Sequence, residues 1–194
     1  KMKKFIGVLV AALMIFQTAV FAAPVYVDGD LQGRVGDDEY VSDWVDAKVG
    51  DEVDYLATLD MSNAREAYKS YYDRAYNNFS LLGMADAIEA ATVTGSFEVK
   101  VEFAEGMEIP QAFLEAGKLV GFSANTQGIF TEESRTVENN VVTIVISTSV
   151  NAKELYDNID KYLPDFTLAC DGVKVTAGGT YGVFGGVAGA TRQQ

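Results

Sequence analysis

The stretch from Asp28 to Glu39 concentrates oxygen donors that could hold a hard cation. Asp28, Asp30, Gln32 and Glu39 occupy positions one, three, five and twelve of a loop, with Gly33 at six, Arg34 at seven and Val35 at eight. Calcium takes carboxylate and carbonyl oxygens at this spacing, the glycine making the sharp turn and the seventh residue giving its backbone carbonyl. The competing reading is a β-hairpin, with Val25 to Val27 turning at Asp28-Gly29 into Leu31 to Val35, because Asp-Gly is a strong hairpin turn. A second set is aromatic. Trp44, the sole tryptophan, and Tyr68, Tyr72 and Tyr76 could stack on sugar rings, or they could be the packing faces of helices.

The chain contains no histidine, so Ser-His-Asp and Cys-His catalysis, histidine-ligated zinc or iron and histidine pH switching are unavailable to it. Its 28 acidic residues leave carboxylate-pair glycoside hydrolysis as the open catalytic alternative. That chemistry also needs an aromatic groove, for which one tryptophan is meagre. Cys170 is the single cysteine, which rules out an intramolecular disulfide. Within Phe166-Thr167-Leu168-Ala169-Cys170 it reads as a small core side chain.

The elements that would position these groups fit into 194 residues, enough for one main domain and a small second unit. Lys3 and Lys4, the apolar stretch Phe5 to Phe16 and Val20-Phe21-Ala22 read as an export signal cleaved after Ala22, with an uncleaved anchor over Phe5 to Ala23 as the alternative. Lys1 ahead of Met2 reads as an end not set by a gene boundary. Formal charge is −13 over the whole chain, and three of the lysines lie in the leader. Such acidity repels phosphate backbones and anionic lipid, so we expect no nucleic-acid partner and no membrane insertion after signal cleavage. The expected partner is an extracellular protein or polysaccharide, with calcium as the possible cofactor.

Residues 23–50 read as a hairpin or acidic loop followed by a short helix whose face carries Tyr40, Val41, Trp44 and Val45. Val53 to Leu59 alternates as a strand. The longest helical region is Ser62 to Ala91, capped by Ser62 or Asn63, with Tyr68, Tyr72 and Tyr76 on one stripe and a break near Gly83. Phe97 to Phe103 places apolar residues at every odd position and charges at every even one, the mark of a strand with one wet face. Pro110 opens a short helix; Leu119 to Phe122 and Gly128 to Thr131 read as short strands. Asn139-Asn140 then turns a hairpin into Val141 to Ser149, the expected central strand. A crossover helix runs from Asn151 to Leu163 and stops at Pro164, and Phe166 to Ala169, Val173 to Val175 and Tyr181 to Val187 complete the strands. We therefore expect a mainly β, α+β domain over 51–188 with a helical insertion at 62–91, and a linker or truncated end at 189–194 that could lead into another module.

Two resemblances add to this reading. The twelve residues from Asp28 to Glu39 resemble the calcium loop of EF-hands and dockerins, departing from it at Gln32, where Asp or Asn is usual. The run Phe97 to Phe103, Leu119 to Phe122 and Asn139 to Ile146, with Lys48-Val49-Gly50-Asp51-Glu52-Val53 as an opening strand, looks like the cohesin-type and related immunoglobulin-like β-sandwich modules of bacterial cell surfaces. That resemblance implies a non-catalytic structural or adhesive module mediating protein-protein contacts in the envelope. It assigns no binding residue. The alternatives are a carbohydrate-binding module using surface tyrosine and tryptophan, and a small carboxylate-dependent glycoside hydrolase.

Overall fold

The computed structural model describes residues 28–42, 45–178 and 184–189. The expected export signal over 1–22, Val25 to Val27 and Trp44 lie outside the described residues. In chain order the elements are β1 (Asp28–Val35), β2 (Glu52–Asp60), α1 (Ser62–Ser80), α2 (Ala85–Ala90), β3 (Thr92–Glu102), β4 (Met107–Glu108), β5 (Thr131–Glu138), β6 (Val141–Asn151), α3 (Ala152–Asp157), α4 (Ile159–Tyr162), β7 (Phe166–Val175) and β8 (Phe184–Gly189). They build a mixed α+β fold with two antiparallel four-stranded sheets, ordered β1-β2-β7-β4 and β5-β6-β3-β8.

The second sheet follows from its sequence. In β3 the odd residues Val93, Phe97, Val99 and Val101 are buried, while Thr92, Lys100 and Glu102 are exposed. Its partner β6 sits between β5 and β3, and Val142, Ile144 and Ile146 have no exposed surface. The β5–β6 hairpin turns at Asn139 and Asn140, with φ of 50° and 61°. Two left-handed residues make the turn whose twist matches the flanking strands, and asparagine adopts that conformation at small cost.

One apolar cluster draws side chains from both sheets and from the helices. Phe130, at the entry to β5, stacks edge-on against Phe97 of β3 with ring centroids 5.8 Å apart and lies 5.8 Å from Phe166 of β7. Tyr55 of β2 meets Phe103 at 6.0 Å. The helices contribute Tyr68, Ile88 and Leu155 to the same cluster, so α1, α2 and α3 are fastened to the core they cover.

Several local expectations are corrected. Asp28-Gly29 does not turn: Asp28 to Val35 runs as one strand paired to β2 from Asp28↔Asp60 to Val35↔Val53. Tyr40, Val41 and Val45 are not helical; Val41 instead forms a bridge to Gly33. Leu119 to Phe122 is irregular because Leu119 and Gly121 both have positive φ. The Gly121 carbonyl accepts the Ala169 amide at 2.8 Å, and a Cβ at Gly121 would stand 2.2 Å from the Ala169 oxygen, so only glycine permits this approach. Gly128 to Phe130 forms a turn, and the strand begins at Thr131.

Phe166 to Val175 is one strand that continues through Gly172, whose amide donates to Asp54 Oδ1 at 2.9 Å where the register with β2 shifts. The crossover region is two short helices, α3 and α4, separated at Asn158. The expected break near Gly83 is present, with φ of 69° at that residue. Neither Ser62 nor Asn63 caps α1. Asp60 accepts the Ser62 amide at 2.8 Å and Asp165 accepts the Met61 amide at 2.7 Å, so the helix start is satisfied from outside.

Candidate functional site

Asn151 is the last residue of β6 and the cap of α3: its side-chain oxygen accepts the Glu154 amide at 3.1 Å. Its side-chain nitrogen donates to the Glu89 carbonyl at 2.8 Å, and the Ala152 amide donates to the Ala91 carbonyl at 2.8 Å. These bonds hold the end of α2 beside the start of α3. Between the two helices lies an open cleft of about 510 Å³, lined by Asp86 and Glu89 from α2 and by Lys153, Glu154 and Asp157 from α3. Lys153 is held by Asp157 at 2.6 Å, so the remaining carboxylates dominate its field.

The tyrosines of α1 form a wall next to this cleft. Tyr68 is 2% exposed and donates its hydroxyl to the Ala152 carbonyl at 2.7 Å, while Tyr72 is 6% exposed. Tyr76 is half-buried and stacks on Tyr72 with centroids 6.1 Å apart; Tyr156 of α3 stacks on Tyr72 at 4.5 Å. Burial raises the Tyr72 phenol above its ordinary pKa, and Glu89 raises it further. A hydrogen bond to Asp73 is the first cause raising the Tyr156 phenol. Nearby, the Tyr162 hydroxyl donates to Glu154 and accepts from Lys161 Nζ at 3.1 Å.

The cleft's lining offers hydrogen-bond acceptors and one paired ammonium, with no aromatic ring among its lining residues. Such a lining accepts cationic or hydroxyl-bearing groups. It presents no thiol nucleophile, since Cys170 is 4% exposed in β7 with its thiol pushed up to about 12 by burial.

The residues expected to act are placed as follows. Asp28, Asp30 and Gln32 are spread along a paired strand, a shape that does not wrap an ion as a calcium loop does. Asp30 accepts the Ser42 hydroxyl at 3.0 Å, and Gln32 donates to that same hydroxyl at 3.3 Å. Glu39 is exposed in the following loop. Among the described residues, no group of three or more His, Cys, Asp or Glu gathers as a metal site. Tyr68 and Tyr72 have their faces inside, which leaves Tyr76 as the partly accessible ring of the expected stripe.

Two residues were missed. Glu132 and Arg135 have side chains with no exposed surface and pair through Arg135 Nε to Glu132 Oε1 at 2.9 Å and Nη2 to Oε2 at 3.0 Å. Arg135 also donates to the carbonyls of Phe113 and Val120, and Glu132 accepts the amides of Gly117 and Leu119. In a regular strand, residues three apart face opposite sides. The bulge between Glu132 and Ser134 brings both inward. An oppositely charged pair at that spacing in a strand was the available signal.

No family model, curated protein or solved structure matches the chain.

Proposed function

We propose that this chain is a non-catalytic structural or adhesive module, exported to the bacterial cell surface, with a cohesin- or immunoglobulin-like β-sandwich that holds a protein partner. The observation that carries the reading is where its buried charge is used. Arg135 and Glu132 spend all their principal hydrogen bonds on backbone groups and on each other, while nearer the surface Asp165 and Asp54 each combine a backbone amide with an arginine, Arg65 and Arg34. Interior polar chemistry of this kind fixes the path of loops and strand ends, a structural use of charge. The open, carboxylate-lined face between α2 and α3 suits a basic patch on an extracellular protein.

The test is binding of the purified protein to fractionated envelope proteins, with Asp86→Lys/Glu89→Lys alongside. Salt-sensitive binding that the charge reversal weakens is expected; binding indifferent to both removes the cleft from the interface. A second reading, polysaccharide binding, rests on the half-buried Tyr76 and Tyr156 rings beside those carboxylates. Retention on a glycan array that is lost in Tyr156→Ala would favour it. Glycan hydrolysis abolished by Glu89→Gln would overturn the non-catalytic reading altogether.

A further inference from the structure

The two sheets end in four outer strands, β1 and β4 in one and β5 and β8 in the other. An outer strand presents a row of unpaired N–H and C=O groups, which proteins protect with charges, bulges, cover or shortness. Three of the four are protected in this way. β5 carries Glu132, Glu133, Arg135 and Glu138 and is bulged between Glu132 and Ser134. β1 carries Asp28, Asp30 and Arg34, and its Gly33 exchanges two backbone hydrogen bonds of 2.9 Å with Val41. β4 is only the dipeptide Met107-Glu108.

Among the described residues β8 shows none of these devices. Its sequence, Phe-Gly-Gly-Val-Ala-Gly, contains neither charge nor proline. It pairs with β3 without a break from Glu102↔Phe184 to Phe97↔Gly189, and among the described residues no strand pairs with its other side. Val175 to Thr191 carries no charged residue, in a chain whose formal charge is −13.

We infer that β8 is a self-association edge: two copies of this chain pair β8 to β8, antiparallel about a two-fold axis, and join their four-stranded sheets into one. Charge selects both the edge and the occupant. Pairing two β5 strands would gather Glu133 and Glu138 of both copies along one seam, and pairing two β1 strands would gather Asp28 and Asp30. Of these edges, β8 lets two strongly acidic molecules meet along a strand that carries no carboxylate. The two-fold arrangement asks only that one surface complement itself, which an uncharged backbone edge of equal length in both partners does.

The experiment is sedimentation velocity of the whole purified protein from low micromolar to near-millimolar concentration, with Ala188→Lys measured beside it. Ala188 lies in register with Glu98, so the new lysine is matched within its own chain while giving β8 the charge that protects the other outer strands from pairing. A concentration-dependent dimer is expected, weakened at least about fivefold by Ala188→Lys and unchanged by Glu133→Lys on β5. Backbone amides of 184–189 should exchange more slowly as concentration rises. A monomer throughout the range overturns the inference, as does a dimer that Ala188→Lys leaves intact. Amides equally protected at every concentration also overturn it, because the edge is then covered within one chain. Should Ala188→Lys lose its far-UV circular dichroism, Gly186→Glu, in register with Lys100, reads the same edge.

Discussion

Arg135 reaches across from β5 to hold two carbonyls of the segment between Phe113 and Val120, with its guanidinium 5.1 Å from the Phe113 ring centre. Arg135→Met removes the positive partner of a pair that has no exposed side-chain surface. An unpaired buried carboxylate costs several kilocalories, so a loss of about 3–5 kcal/mol in urea unfolding is expected. Glu132→Gln should cost a comparable amount, since it leaves the Arg135 guanidinium buried without its counter-charge and turns an amide nitrogen toward two donors that the lost oxygen accepted. Tyr55 gives a second prediction, in alkali. Burial raises its phenol to about 12, while the unfolded phenol titrates near 10. The folded state thus favours the protonated form. Tyr55 contributes stability that is fully present below about pH 10 and is lost as pH climbs toward about 12. The urea midpoint should fall across that window, and less steeply in Tyr55→Phe; an identical slope in the variant would assign the alkaline loss to other groups.

At the scale of elements, the Asn139-Asn140 turn can be tested directly. Asn140→Val places a β-branched side chain at φ of 61° and deletes the bond from the Asn140 side chain to the Ala104 carbonyl. A loss of about 1–2 kcal/mol is expected. Asn139→Gly should be neutral or slightly stabilising, because glycine accepts the left-handed region freely. This hairpin, the alternation of β3, the break at Gly83 and the stop at Pro164 were legible in the sequence because each is decided within a few residues. The irregular segment at Leu119 to Gly121 was not, since its path is set by Ala169, far along the chain, bonding to the Gly121 carbonyl. Asp28-Gly29 misled for the same reason: its local preference for a turn yields to continuous pairing with β2. The cleft was equally hidden. Asp86 and Glu89 meet Glu154 and Asp157 only because Asn151 and Ala152 bond to the carbonyls of Glu89 and Ala91. The tyrosine stripe was visible as a helical face, but sequence spacing alone did not settle whether its rings packed inward or faced solvent.

Across the whole molecule, the allocation of strands to two sheets depends on which apolar faces meet, and alternation within a strand does not say which partner it takes. β6 and β7 illustrate this, for they are joined through α3 and α4 yet lie in different sheets. Their side chains still enter a single cluster, in which Ile144 of β6, Leu168 of β7, Tyr68 of α1 and Leu155 of α3 all take part. The helical end therefore has no separate core whose loss could leave the sheets standing. Heat or urea should unfold the described domain in one transition, with far-UV circular dichroism of the backbone and near-UV dichroism of the stacked tyrosines giving the same midpoint. Ile144→Ala, at a position with no exposed surface, should lower both signals' stability together by about 2–5 kcal/mol. If the tyrosine signal melts first and the mutation shifts only the backbone signal, the helices form an independent unit and the shared cluster does not couple them to the sheets.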